Sequence, residues 1–131
     1  MKRVWLALTG TAVVGCGLGF WLGIELTQRM FVISGSASHV AAWESYKQGE
    51  MGDAIISAGF AATSTPDNFE TYYLLGRIIR DADRPSVAAG MFRRALAIIE
   101  QSEPTRGSNL MRPEIEKALQ EVDETLASPP Q

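Results

Sequence analysis

Apolar residues fall into two regimes along the chain. Residues 4–26 form a nearly continuous apolar run whose only ionisable members are Cys16 and the near-terminal Glu25. After residue 36 the run gives way to apolar positions recurring every three or four residues, a spacing that predicts amphipathic helices. His39, Ala42, Trp43 and Tyr46 carry it first, and Ala54, Ile55, Ala58 and Ala61 carry it next. Tyr72, Leu75, Gly76 and Ile79 follow, and then Ala88, Met91, Phe92, Ala95, Leu96 and Ile99. The last stripe is Ile115, Ala118, Leu119, Val122 and Leu126.

Punctuation between the stripes fixes the expected connections. Residues 49–52 contain two glycines and predict a turn, with Asp53 placed to cap the helix after it. Thr65, Pro66 and Asp67 break the chain next. The third turn is Asp83, Arg84, Pro85 and Ser86, where Asp83 or Ser86 is available as a cap. The expected fold is therefore all-α: helical hairpins over 37–64 and 67–101, then a C-terminal capping unit over 109–127. Pro113 suits the first position of its helix. A short linker over 31–36 precedes the hairpins, and a disordered tail over 128–131 is expected to close the chain.

The stripes repeat. Ala54 to Ala88 and Ala61 to Ala95 are each 34 residues apart, and a fixed period of this size is the mark of stacked helical hairpins. Tyr72, Leu75, Gly76, Ala88, Phe92 and Ala95 in the second unit, and Gly49, Ala54, Ala61 and Pro66 in the first, resemble the tetratricopeptide repeat. The first unit departs from that pattern at Ala41 and Ala42, where Leu-Gly is usual, and at Ala58, where a large aromatic is usual. In the second unit Ile79 replaces a tyrosine. The resemblance covers roughly residues 35–102. It implies a concave side built from the first helix of each hairpin, and it places His39, Trp43, Tyr46, Glu70, Tyr73, Arg77 and Arg80 there as contacts for a protein partner. Trp, Tyr and Arg are the residues most enriched at binding hot spots. Arg77, Arg80 and Arg84 are also spaced as one helical ridge, suited to an acidic segment or a free carboxyl terminus. The alternatives are a place in helix packing for Trp43, a cap or surface position for His39, and a solvated face paired with Asp81 and Asp83 for the arginines.

As a helix, the 4–26 run would be roughly 34 Å long, enough to cross a hydrocarbon core. Lys2 and Arg3 precede it, which predicts a cytoplasmic amino terminus and an exported remainder. The expectation is a retained anchor over 1–30 in a bacterial-type inner membrane, with the rest of the chain in the periplasm. Val13, Val14, Gly15 and Cys16 also read as a lipoprotein processing site, but the residues after Cys16 stay apolar where a polar linker is usual. Gly15, Gly19 and Gly23 lie on one stripe at four-residue spacing, a pattern that lets two membrane helices approach closely in a homodimer or a larger complex.

From residue 34 onward nine Lys/Arg face 14 Asp/Glu, a balance of −5. That sign argues against nucleic acid, which demands clustered positive charge. One Cys and one His in the whole chain leave no zinc site of the usual nitrogen/sulfur type. No Ser/His/Asp arrangement and no glycine-rich phosphate loop is readable, so neither catalysis nor a cofactor is expected. The chain reads as a membrane-anchored scaffold or adaptor for another protein. Its rivals are an accessory subunit packed through the glycine stripe and a processed lipoprotein.

Overall fold

Every break in the apolar pattern marks a connection between helices, although the chemistry at the helix ends differs from expectation. The computed structural model of the protein describes residues 35–128, and these are helix and connecting turn without a strand. They belong to the second of two units into which the chain divides, Met1–Ile33 and Ser34–Gln131. The helices are α1 (35–48), α2 (Met51–Ser64), α3 (Phe69–Asp81), α4 (Pro85–Gln101) and α5 (Arg106–Ala127). The expected anchor, its Gly15, Gly19 and Gly23 stripe, and Cys16 lie outside the described residues, as do most of the expected linker and tail. Among the described residues no helix is long and apolar enough to cross a membrane.

Two of the turns are built alike. Gly49 adopts φ 80°, and around it Glu50 N–H donates to Ser45 C=O (2.9 Å) and Gly49 N–H to Tyr46 C=O (3.1 Å). Thirty-four residues later Asp83 adopts φ 59°, with Arg84 N–H donating to Ile79 C=O (3.2 Å) and Asp83 N–H to Arg80 C=O (3.0 Å). Both are Schellman closures, which satisfy the last carbonyls of a helix through one left-handed residue.

This geometry corrects two expected caps. Asp53 does not cap α2, because Gly49 alone reverses the chain and α2 begins at Met51; Gly52 and Asp53 fall in its first turn. Asp83 closes α3 rather than opening α4, Arg84 holds the N-cap position without a side-chain bond, and Pro85 starts the helix. Helix α3 has a side-chain cap, Asn68, whose Oδ1 accepts from Glu70 N–H at 3.0 Å.

The third correction concerns α5, which starts at Arg106 and carries Pro113 in its interior. Thr105 and Ser108 form a reciprocal capping box: Ser108 N–H donates to Thr105 Oγ1 (3.0 Å) and Thr105 N–H to Ser108 Oγ (2.9 Å). Two orphan donors are satisfied there at once, which starts the helix two turns ahead of the proline.

Packing follows chain order: α2 against α3, α3 against α4, and α4 against α5. Phe92, Ile78, Ile115 and Val122 are the largest apolar side chains fully buried between them. The buried residues of helix α2 are all alanines, Ala54, Ala58, Ala61 and Ala62, with Met51 and Ile55 half-buried against the core, so its backbone can lie close to its neighbours. Side-chain pairs reveal the direction of the odd-numbered helices. His39 and Tyr46 of α1 meet Thr71 and Asp81 of α3 in rising order. Likewise Tyr73 and Arg80 of α3 meet Glu114 and Glu121 of α5. Helices α1, α3 and α5 thus run parallel on one side of the stack, and that side carries the polar groups of interest.

Candidate protein-binding cleft

The parallel side encloses an open cleft of about 320 Å³, lined from α1 by His39 and Trp43, from α3 by Glu70, Tyr73, Leu74 and Arg77, and from α5 by Met111 and Glu114. Five of the seven residues assigned to a concave face from the sequence meet there. Glu70, Tyr73, Leu74 and Arg77 do so because positions three and four apart share one face of a helix.

Arg77 is the centre of the arrangement. Its guanidinium carbon lies 5.2 Å from the ring centroid of Trp43, 5.7 Å from that of Tyr46 and 5.8 Å from that of Tyr73. Each such contact contributes about 0.5–1 kcal/mol at an exposed site. No carboxylate lies within ion-pair distance of it among the described residues. Trp43 and Tyr46 pack on each other with ring centroids 5.7 Å apart, and Lys47 Nζ sits 5.6 Å from the Trp43 ring. Tyr73 also packs on Phe92, at 6.0 Å, so the cleft wall continues into the core. Trp43 is half-buried and serves packing and lining at once.

Tyr46 and Arg80 are directed elsewhere. The Tyr46 hydroxyl donates to Asp81 Oδ2, and Arg80 Nε donates to Asp81 Oδ1 at 3.0 Å. Arg80 reaches Glu121 of α5 at 3.6 Å as well. The three arginines of the expected ridge have different surroundings: Arg80 spans two carboxylates, one of them the Asp81 expected as a partner in the alternative reading, Arg77 is ringed by aromatics, and Arg84 sits at the start of α4. His39 Nδ1 lies 3.3 Å from the Thr71 hydroxyl, and Thr71 is fully buried. This bond supplies the polar partner that a buried hydroxyl requires.

Titration behaviour follows from these partners. Burial, and then the hydrogen bond to Asp81, pushes the Tyr46 phenol above its ordinary value. Burial and the bond to Glu114 (2.8 Å) do the same for Tyr73. At Asp81, partial burial works against the charge. The hydrogen bonds from Tyr46 and Arg80 and the nearby guanidinium charges outweigh it and hold the carboxyl below its ordinary range.

Leu74, Met111 and Glu114 were missed from the sequence. For Leu74 a signal was present, since it falls four positions after Glu70 and three before Arg77. Met111 and Glu114 belong to a helix read only as a cap, whereas α5 runs parallel to α1 and α3 and completes the same wall. No protein-family model matches the chain, and comparison with curated proteins finds no match either. The geometry of this side therefore carries the functional reading.

Proposed function

We propose that the protein is a membrane-tethered adaptor of tetratricopeptide-repeat type, which holds a segment of another protein against α1, α3 and α5. The observation that carries this reading is the cleft itself. Trp43, Tyr73 and Arg77, the residue types of binding hot spots, converge there from two helices with a wall supplied by a third. The repeat reading is supported by the two left-handed closures 34 residues apart and by the parallel run of the odd helices. The apolar run at 4–26 behind Lys2 and Arg3 supports an anchor in a bacterial-type inner membrane, with residues 35–128 on the periplasmic side. Tethering would raise the effective concentration of a membrane-bound partner without any further contact. Assembly of envelope proteins is the role that suits such a device.

A second reading, as a stoichiometric accessory subunit of a membrane complex, is favoured by Ile56 and Phe60. They lie one turn apart on α2, are 71% and 49% exposed, and do not line the cleft. A photo-crosslinking residue at position 73, and separately at position 56, in membranes of the native source separates the two. Adducts from 73 that disappear with Trp43→Ala support the adaptor. Adducts from 56 alone, surviving detergent extraction as one complex, favour the subunit. Silence at both positions removes both readings.

A further inference from the structure

We propose that the cleft takes an extended segment in which a Lys or Arg stands next to a bulky apolar residue; this rests on the protein-binding reading above and names its partner's chemistry. The arginine spacing in the sequence points the other way, towards an acidic ligand. The placement of the charges decides between the two.

An acidic segment needs free cations. Arg80 is held by Asp81 at 3.0 Å and faces Glu121 at 3.6 Å. Arg77 lies against the rings of Trp43, Tyr46 and Tyr73, and this single cation in the lining faces two carboxylates there, Glu70 and Glu114. The carboxylates at the cleft are less committed. The Glu70 side chain makes no ion pair among the described residues. Among the described residues Glu114 accepts one hydrogen bond, from Tyr73 through Oε1, and its second oxygen takes part in none. Glu70 and Glu114 therefore present acceptors to an incoming ammonium or guanidinium, whose hydrogen bonds to a carboxylate are stronger than neutral ones. The balance of −5 from residue 34 onward adds a field that draws cations and repels anions.

Of the other lining residues, His39 and Tyr73 have hydrogen-bond partners in Thr71 and Glu114, and the rest are apolar. Trp43, Leu74 and Met111 wall the cleft, and a methionine adapts its shape to whatever side chain enters. A volume of about 320 Å³ is at the small end of ligand pockets. It admits one or two side chains and leaves no room for a whole helix. One cation on the Glu70/Glu114 pair and one apolar neighbour on Trp43 and Met111 satisfy both halves of the site.

The test uses the full chain in detergent micelles and two fluorescein-labelled synthetic peptides, one of Lys and Leu in an Ala/Ser background and one with Glu in place of Lys. Anisotropy titrations give the Kd of each. The Lys/Leu peptide is expected to bind and the Glu/Leu peptide not to. Glu70→Gln with Glu114→Gln should raise the Kd about fivefold or more, the sum of two modest ion pairs. Glu116→Gln with Glu124→Gln, on the same helix as Glu114 but outside the cleft, changes the net charge equally and should leave the Kd within about twofold, because exposed charges act weakly at a distance. Helical circular dichroism confirms that both double variants fold. Tighter binding of the Glu/Leu peptide overturns the inference and leaves the adaptor reading intact. Equal weakening by the two double variants also overturns it, as does no binding of either peptide. Absent peptide binding together with absent crosslinks from position 73 removes the adaptor reading as well.

Discussion

The Cβ that Gly76 lacks would stand 2.6 Å from Phe92 Cε1 and 2.8 Å from Phe92 Cδ1. Phe92 is fully buried, so the ring has no solvent side into which it could retreat. Helix α3 approaches α4 at a separation that only a glycine permits. Thirty-four residues earlier the corresponding positions are Ala42 and Ala58, both fully buried. One unit combines a missing methyl with a ring, and the other combines two methyls with no ring. These departures from the repeat pattern compensate each other, since a position 58 without an aromatic leaves space for a methyl at position 42.

Gly76→Ala should therefore destabilise the protein by about 1–3 kcal/mol through overpacking, even though alanine in an open helix gains about 1 kcal/mol over glycine. Phe92→Ala alone should lose about 3–5 kcal/mol to the cavity it leaves. The double variant reproduces the Ala42/Ala58 combination, and its loss should fall at least about 1 kcal/mol short of the sum of the single losses. Urea unfolding of the four proteins, followed by circular dichroism, measures the coupling. Additive losses would mean that the ring and the missing methyl do not compete for space.

The two left-handed closures make a paired prediction. Gly49→Ala forces a Cβ into φ 80° and should lower stability by about 1 kcal/mol. Asp83→Gly relieves the same strain at φ 59° and should be neutral or stabilising by up to about 1 kcal/mol. Neither position contacts the cleft, so peptide binding should not change. Opposite signs in thermal melts of the two variants are the expected outcome.

Much of this arrangement was legible in the residues themselves. The three- and four-residue spacing located every helix of the described region, because burying one stripe of each helix is what the packing rewards. The tetratricopeptide resemblance pointed to five residues that line the cleft, and on α3 helical spacing explains why Glu70, Tyr73 and Arg77 share one face. What stayed illegible depends on neighbours distant in sequence. Nothing near Arg80 discloses that Glu121 lies opposite it, and nothing near Glu114 discloses Tyr73. Helix ends were misread for a local reason: Asp53 and Asp83 are good cap formers, yet a left-handed residue closing the preceding helix took precedence over both. Residues 4–26 remain an expectation about composition alone.

Acid should weaken the fold through Asp81. Its folded carboxyl titrates below the ordinary 3.8, so the unfolded chain takes up the proton first. The stabilisation is complete above the unfolded value and is lost as pH falls through the folded one. Asp81→Asn should lower the Tm at neutral pH and flatten its decline between about pH 5 and pH 3. On the alkaline side Tyr46 and Tyr73 titrate above 10.0 in the folded state. Their contribution is present below that value and is lost as pH rises through the folded values. Tyr46→Phe with Tyr73→Phe should flatten the alkaline limb. Melting curves across pH check both limbs, and an Asp81→Asn slope identical to the parent's would remove the carboxylate from the account.

Helix α5 supplies the sharpest contrast between chemistry at a helix start and chemistry inside one. A proline at the first position costs nothing, because its missing N–H would be unsatisfied there in any case. In the interior it removes one backbone hydrogen bond and crowds the preceding turn, a loss of about 3 kcal/mol. Pro113 is interior here, and the helix begins with the Thr105/Ser108 box. Pro113→Ala should therefore stabilise the protein by about 1–3 kcal/mol, the neighbours having already adjusted to the ring. Thr105→Ala should destabilise it by about 1 kcal/mol. Had the helix started at Pro113, the first change would be close to neutral and the second without consequence. Met111 and Glu114 flank the proline and line the cleft, so Pro113→Ala also reports on the α5 wall. Amide hydrogen exchange over 106–113 distinguishes the cases, with slower exchange expected in Pro113→Ala and faster exchange in Thr105→Ala.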